Sequence, residues 1–139
     1  MKKYRRKLNN PLVDRIDLQV KVDRLNYKEL VTGKKAKSSA ELRQIVLECR
    51  EKQSFRFKDE SFKLNSQIPA QKISQYCQME TGGNKLLESY MDDNLLTARS
   101  CHKILKIGRT IADINNHEII KLDDLQAAIG YRTLDTEIM

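Results

Sequence analysis

Arginine is the residue type whose placement in this sequence could do chemistry. Arg15 stands in Asn10-Pro11-Leu12-Val13-Asp14-Arg15-Ile16-Asp17, flanked by apolar anchors and two carboxylates. Arg99 lies in the first turn of the most strongly periodic helical segment, and Arg109 follows ten residues later. On a helix that offset leaves Arg109 about 80° further round, on a neighbouring but distinct face. A guanidinium is planar, permanently charged and able to grip two oxygens, and a helix N-terminus already favours anions. The chemistry such residues could serve is phosphate recognition. On composition alone the commoner reading of Arg99 is blander: a solvated side chain, or half of a weak surface ion pair.

Other constellations point away from a self-contained active site. Gly33-Lys34 resembles the end of a phosphate-binding loop, but the pattern needs an earlier Gly where Lys28 stands and a Ser or Thr where Lys35 stands. His102 and His117 lie far apart with no nucleophile pattern beside them. Asp92-Asp93 and Asp123-Asp124 fall at helix boundaries, where carboxylates more often serve caps and dipoles. Cys49, Cys77 and Cys101 are widely spaced, with no C-x-x-C pair. They read as reduced, mostly buried thiols, and no metal site is expected.

The elements that must position these arginines come from a chain of 139 residues, a length suited to one domain. Its net charge of +7 is uneven. Residues 1–37 hold 12 Lys/Arg against 4 Asp/Glu, a net of +8, while residues 38–139 hold 14 against 15, a net of −1. Any polyanion affinity would therefore sit in the first segment and be salt-sensitive. Apolar runs reach only three residues, as in Ile45-Val46-Leu47, so no membrane span is expected. No apolar stretch follows the basic start, as a signal peptide would require. A cytoplasmic location is the expectation.

Ile16-Asp17-Leu18-Gln19-Val20-Lys21-Val22 alternates apolar and polar residues, the period of a half-buried strand. A lone strand cannot satisfy its own backbone. This orphan strand therefore implies a sheet elsewhere, and a mobile 1–37 segment in its absence. The rest is helical. Ser38-Ser39-Ala40-Glu41 forms a capping-box pattern that starts a helix over about 39–53, with Leu42, Ile45, Val46 and Cys49 on one face. Pro69 starts a short helix to about Cys77, with Ile73 and Tyr76 inward. Gly82-Gly83 precedes a helix over about 84–92 carrying Leu86, Leu87, Tyr90 and Met91. Thr97 caps a helix over about 98–115 with the stripe Cys101, Ile104, Leu105, Gly108, Ile111 and Ala112. A last helix, about 122–130, carries Leu125, Ala128 and Ile129. The expected fold is mainly α, a small helical bundle preceded by one orphan strand.

Three stretches carry a family likeness. Pro11–Leu18 resembles the "PLLDRIDL" segment of the magnesium-chelatase-like branch of AAA+ ATPases. Residues 96–113 (LTARSCHKILKIGRTIAD) resemble its "LSARAYHRILRVARTIAD" helix, and 125–132 (LQAAIGYR) its "LAEALQYR" close. Within that branch the sequence is most similar to the ComM/YifB type. The departures are small: Asn9-Asn10 for Ser-Gly, Val13 for Leu, and Thr97 for Ser, which keeps a capping hydroxyl.

The resemblance implies that residues 1–37 are the end of an ATPase core and 38–139 its helical lid. It implies that Arg15 is an arginine finger reaching the ATP of a neighbouring subunit, and that Arg99 is the sensor-2 residue touching ATP phosphate. Arg109 is a further candidate for a phosphate or interface contact. ATP and Mg2+ would belong to the full-length protein, which has the nucleotide-binding loop that this sequence lacks, so this chain alone should be inactive. Partners would be the rest of the core, neighbouring subunits in a hexameric ring, and DNA, with no membrane. The competing reading is a standalone DNA-binding or adaptor module using helix 98–115, for which Lys103, Lys106 and Arg109 speak.

Overall fold

A computed structural model describes residues 15–22, 24, 27, 37–93 and 96–132. The Pro11–Asp14 half of the first motif and the Gly33-Lys34 loop lie outside the described residues. The order is α1 (Ser39–Arg56), two single 3-10 turns (Asn65–Gln67 and Ala70–Lys72), α2 (Ile73–Tyr76), α3 (Gly83–Asp93), α4 (Ala98–Ile114) and α5 (Leu122–Gly130). The fold is mainly helical, as the periodicities imply.

The starts of these helices follow local chemistry. At α1 the Ser38 backbone N–H donates to Glu41 Oε2 at 2.6 Å, and the Glu41 N–H donates back to Ser38 Oγ at 3.3 Å. That reciprocal pair satisfies two of the donors a helix start leaves open. α1 runs three residues beyond its expected end and delivers Phe57 as its C-terminal cap, fully buried. Phe57 meets Phe62 and Tyr76 with ring centroids 4.9 and 5.0 Å away. Gly82, with φ of 97°, turns the chain into α3 in a backbone region that suits glycine. At the other end of α4, Asn116 takes the left-handed conformation (φ 62°) and the His117 N–H reaches back to the Ala112 carbonyl at 2.8 Å. This is a Schellman stop with Asn in the place glycine usually takes.

α4 is the central element, and α5 packs most extensively on it. Ile104, Leu105 and Ala112 are buried together with Ile68, Ile73, Leu87, Ile120, Leu125 and Ala128. Burying each of the larger side chains contributes roughly 1.5–3 kcal/mol. Gly108 lets the helices close, since a Cβ there would stand 3.3 Å from Ile120 Cγ2. A short parallel bridge, Met79 with Ile120, joins the loops before α3 and α5. Glu80 Oε1 then accepts the Leu122 N–H at 2.8 Å, capping α5 from a distant loop.

Two expectations change. Leu42 and Val46 on α1 are about half exposed, and only Cys49 and Gln53 are buried, because among the described residues no neighbour covers the helix's first half. Residues 16–22 form no strand. The reason is the one anticipated, since a strand needs an edge to pair with, and among the described residues none is offered. The alternation does not sort these residues into two faces, since Asp17 and Lys21 are exposed along with the apolar ones. Gln19 is buried and its N–H donates to the Tyr131 carbonyl at 2.8 Å, while Ile16, Leu18, Val20 and Val22 face solvent.

Burial pushes the Cys77 thiol up to about 11, only partly opposed by the Arg109 and Lys106 charges. Burial also raises Cys49 and Cys101, and Cys101 is the most open of the three. Native alkylation followed by mass spectrometry should therefore label Cys101 first and leave Cys77 unlabelled until denaturant is added. Labelling of all three at one rate would contradict this packing.

Candidate functional site

The start of α4 holds the first candidate. Thr97 Oγ1 accepts the Ser100 N–H at 3.2 Å, fixing the first turn in helical form. Arg99, within that turn, is exposed. Its guanidinium and the first-turn amides bring positive charge together at this helix start. Arg15 is exposed as well, at the first described residue. The segment that follows it is held to the helical bundle. Arg132, fully buried at the end of α5, donates through Nη1 to the Ile16 carbonyl at 2.6 Å and through Nη2 to Ser100 Oγ at 3.2 Å. Lys103 Nζ meets Asp17 Oδ1 at 2.7 Å.

Arg109 occupies a different environment. Its side chain is 2% exposed and spent on the protein itself. Nη1 donates to the Glu118 carbonyl at 2.6 Å, and Nη2 to the His117 carbonyl at 2.6 Å and to Asp113 Oδ1 at 2.9 Å. Asp113 is the hub. Arg56 grips it with both terminal nitrogens, Nη1 to Oδ2 at 2.9 Å and Nη2 to Oδ1. Asn65 Nδ2 adds a bond to Oδ2 at 2.8 Å. Burial alone would raise the Asp113 pKa. The hydrogen bonds from Arg56 and Asn65 and the charges of Arg109 and Arg56 outweigh it, holding the carboxyl below its ordinary range.

A second buried carboxylate, Asp124, organises the turn into α5. It accepts from Asn115 Nδ2 at 2.7 Å and from the Lys121 N–H at 3.0 Å, and it pairs with His117 Nδ1 at 2.8 Å. Here too burial raises the pKa, and the bonds from His117, Asn115 and Lys121 bring it below the usual value. The remaining cations of α4 are likewise engaged: Lys106 Nζ donates to the Ser66 carbonyl at 3.0 Å, and Lys103 holds Asp17. The structure thus leaves Arg15 and Arg99 open to solvent and takes Arg109 inward.

Compared with known families, residues 36–132 match the C-terminal part of magnesium chelatase subunit ChlI, and residues 1–30 match the preceding ChlI domain. The chain belongs to the magnesium chelatase ChlI family. Among curated relatives, YifB of Escherichia coli, an uncharacterized protein, is 34% identical over 137 residues, covering 96% of this chain and 26% of its own length. The competence protein ComM of Haemophilus influenzae is 33% identical over 133 residues, covering 95% of this chain and 25% of its own. YifB of Salmonella typhimurium is 31% identical over 135 residues, with 96% and 26% covered. The chain spans about a quarter of the length of these relatives. In ChlI terms the α4 and α5 motifs lie in the C-terminal match and Arg15 in the preceding one. Among the described residues no helix is long and apolar enough to cross a membrane.

Sequence reading missed Arg132 and Asp113 as organising residues, although both stand inside the quoted motifs. The available signal was their company: Tyr131-Arg132 closes one motif and Asp113 closes another. Arg56 and Asn65 carried no signal, being 57 and 48 residues from Asp113 in sequence.

Replacing Asp113 with Asn strips the charge that two guanidiniums share, one of them buried. Removing one partner of such a buried pair should destabilise the fold by about 3–5 kcal/mol, read by denaturant melts. The folded pKa lies below the unfolded value of about 3.9. The wild-type contribution is therefore complete above that pH and is lost as pH falls through the folded value. The Asn variant should lack this acid-dependent step.

Proposed function

We propose that this chain is the C-terminal lid portion of a magnesium-chelatase-like AAA+ ATPase. Residues 1–37 end the ATPase core and 38–139 form the lid. Arg99 contacts the phosphate of ATP held by its own subunit. Arg15 acts as the finger that reaches ATP in the next subunit of a hexameric ring. The observation that carries this reading is selective exposure. Of the arginines in the family motifs, Arg15 and Arg99 are exposed, and Arg99 adds its charge to a capped helix start, whereas Arg109 is buried against Asp113 and Arg132 is buried as well.

The donor set fits the group it would hold. Phosphate oxygens are recognised by forked guanidinium donors and by helix N-termini, and α4 offers both at Arg99. Bound ATP, with its Mg2+, supplies the phosphoanhydride bond that breaks. Arg99 would hold the lid against the phosphates and orient them. Arg15 would place positive charge where negative charge develops on transfer, a role that depends on position rather than on proton movement. Because Arg15 acts on a neighbour's nucleotide, the site is complete only between subunits, so assembly and turnover are linked. DNA processing is the work proposed for such a motor, in keeping with the likeness to a competence protein.

The alternative, a DNA-binding module reading through α4, meets an obstacle in the same side chains that suggested it. Lys103, Lys106 and Arg109 each contact protein acceptors rather than forming one free basic face.

In the full-length protein, Arg15→Ala should leave ATP binding intact and lower turnover by about 10³-fold or more, the scale of a finger supplied in trans. Arg99→Ala should weaken binding as well as turnover. Unchanged turnover in Arg15→Ala would remove the finger role and bring the binding-module reading forward.

A further inference from the structure

We infer that Arg132 is a positioning residue that yokes the Arg15 segment to the Arg99 turn, so that lid position governs how Arg15 is presented to the neighbouring subunit. The inference rests on the roles proposed above for Arg15 and Arg99.

The geometry is specific. A single guanidinium, fully buried, binds the carbonyl of Ile16 and the hydroxyl of Ser100. Ile16 is the residue after Arg15, and Ser100 is the residue after Arg99. One side chain therefore touches the immediate neighbours of both candidate phosphate-binding arginines, which are otherwise far apart in sequence.

Packing alone does not account for this choice of residue. Burying a charged group is costly unless it is well hydrogen-bonded, and an apolar side chain would fill the space without that cost. What an apolar side chain lacks is a rigid fork that spans two acceptors on separate elements. Two more polar links run the same way, Gln19 N–H to the Tyr131 carbonyl and Lys103 to Asp17. The segment's apolar side chains take no part, since Ile16, Leu18 and Val20 face outward. Residues 16–19 are thus held to the lid by directional bonds rather than by an apolar seal. Such bonds fix orientation, so a shift of the α4 start carries residue 16 with it. A misplacement of the order of 1 Å at a reacting centre can cost about 10²-fold in rate, which gives the yoke leverage over turnover.

The test uses the full-length protein in four forms: wild type, Arg15→Ala, Arg132→Lys and the double variant. Lysine keeps the charge and loses the fork. Arg132→Lys should retain ATP affinity and lower kcat by roughly 10- to 100-fold, with no further fall when added to Arg15→Ala. Amide exchange should show the Gln19 N–H slower than those of Leu18 and Val20 in wild type, with that protection lost in Arg132→Lys. Equal proportional losses in both backgrounds, or a Gln19 amide indifferent to the substitution, would overturn the yoke while leaving the finger role standing. Unchanged turnover in Arg15→Ala would instead show that the finger reading has failed, and the yoke with it. Should Arg132→Lys not fold, Ser100→Ala decides. It cuts the bond between Arg132 and Ser100 and should give a smaller kcat loss that also vanishes in the Arg15→Ala background, and an additive loss would count against the yoke.

Discussion

A single carboxylate, Asp113, determines whether the outer parts of this bundle can hold their places. It is buried in the last turn of α4 and shared by Arg56 from the end of α1, Arg109 from its own helix and Asn65 from the intervening loop. Each of those groups would be costly to bury alone, and a buried ion left unpaired is worse than no ion at all. The arrangement is therefore all-or-none. It pins the end of α1 to the end of α4 and holds the loop between them. Arg109 extends the same network to the carbonyls of His117 and Glu118, which lead into α5. Specificity of geometry, more than net energy, is what such a cluster contributes.

That pinning leaves the opposite end of α4 free for another purpose. The helix has one end engaged with Asp113 and the other opening on Thr97, Arg99 and Ser100. The interior is held by apolar packing and the closed end by ions. The open end carries a guanidinium in solvent and a hydroxyl, on Ser100, that binds Arg132. Three arginines within one small domain thus have three different fates, set by burial and by partners rather than by residue type. Arg109 is structural, Arg132 bridges, and Arg99 is left available.

Much of this was readable in the residues. Ser38 with Glu41, Gly82-Gly83 and Thr97 are local signals, and the helices they begin start within a residue of where the sequence places them. The apolar stripe of α4 also held, because helical spacing leaves it only one face to bury. Three features were not readable. The Asp113 cluster joins residues far apart in sequence, and no periodicity marks a charged side chain that will be buried. The exposure of Leu42 and Val46 depends on what packs beside them among the described residues, which an amphipathic pattern cannot reveal. At residues 16–22 the alternation was legible, but which residue turns toward the bundle depends on backbone partners such as Tyr131.

The exposed first half of α1 has a mechanical meaning. From Ser39 to Glu48 the helix lies clear of the bundle except at half-buried Ile45, and its far end is clamped at Arg56 and Phe57. Ten helical residues make a rod about 15 Å long. A rigid rod fixed at one end is a lever arm: a tilt of roughly 10° in the bundle sweeps its free tip through about 2.6 Å at that length. A flexible tether of the same length would absorb such a rotation, whereas α1 converts it into displacement of whatever joins at Ser38.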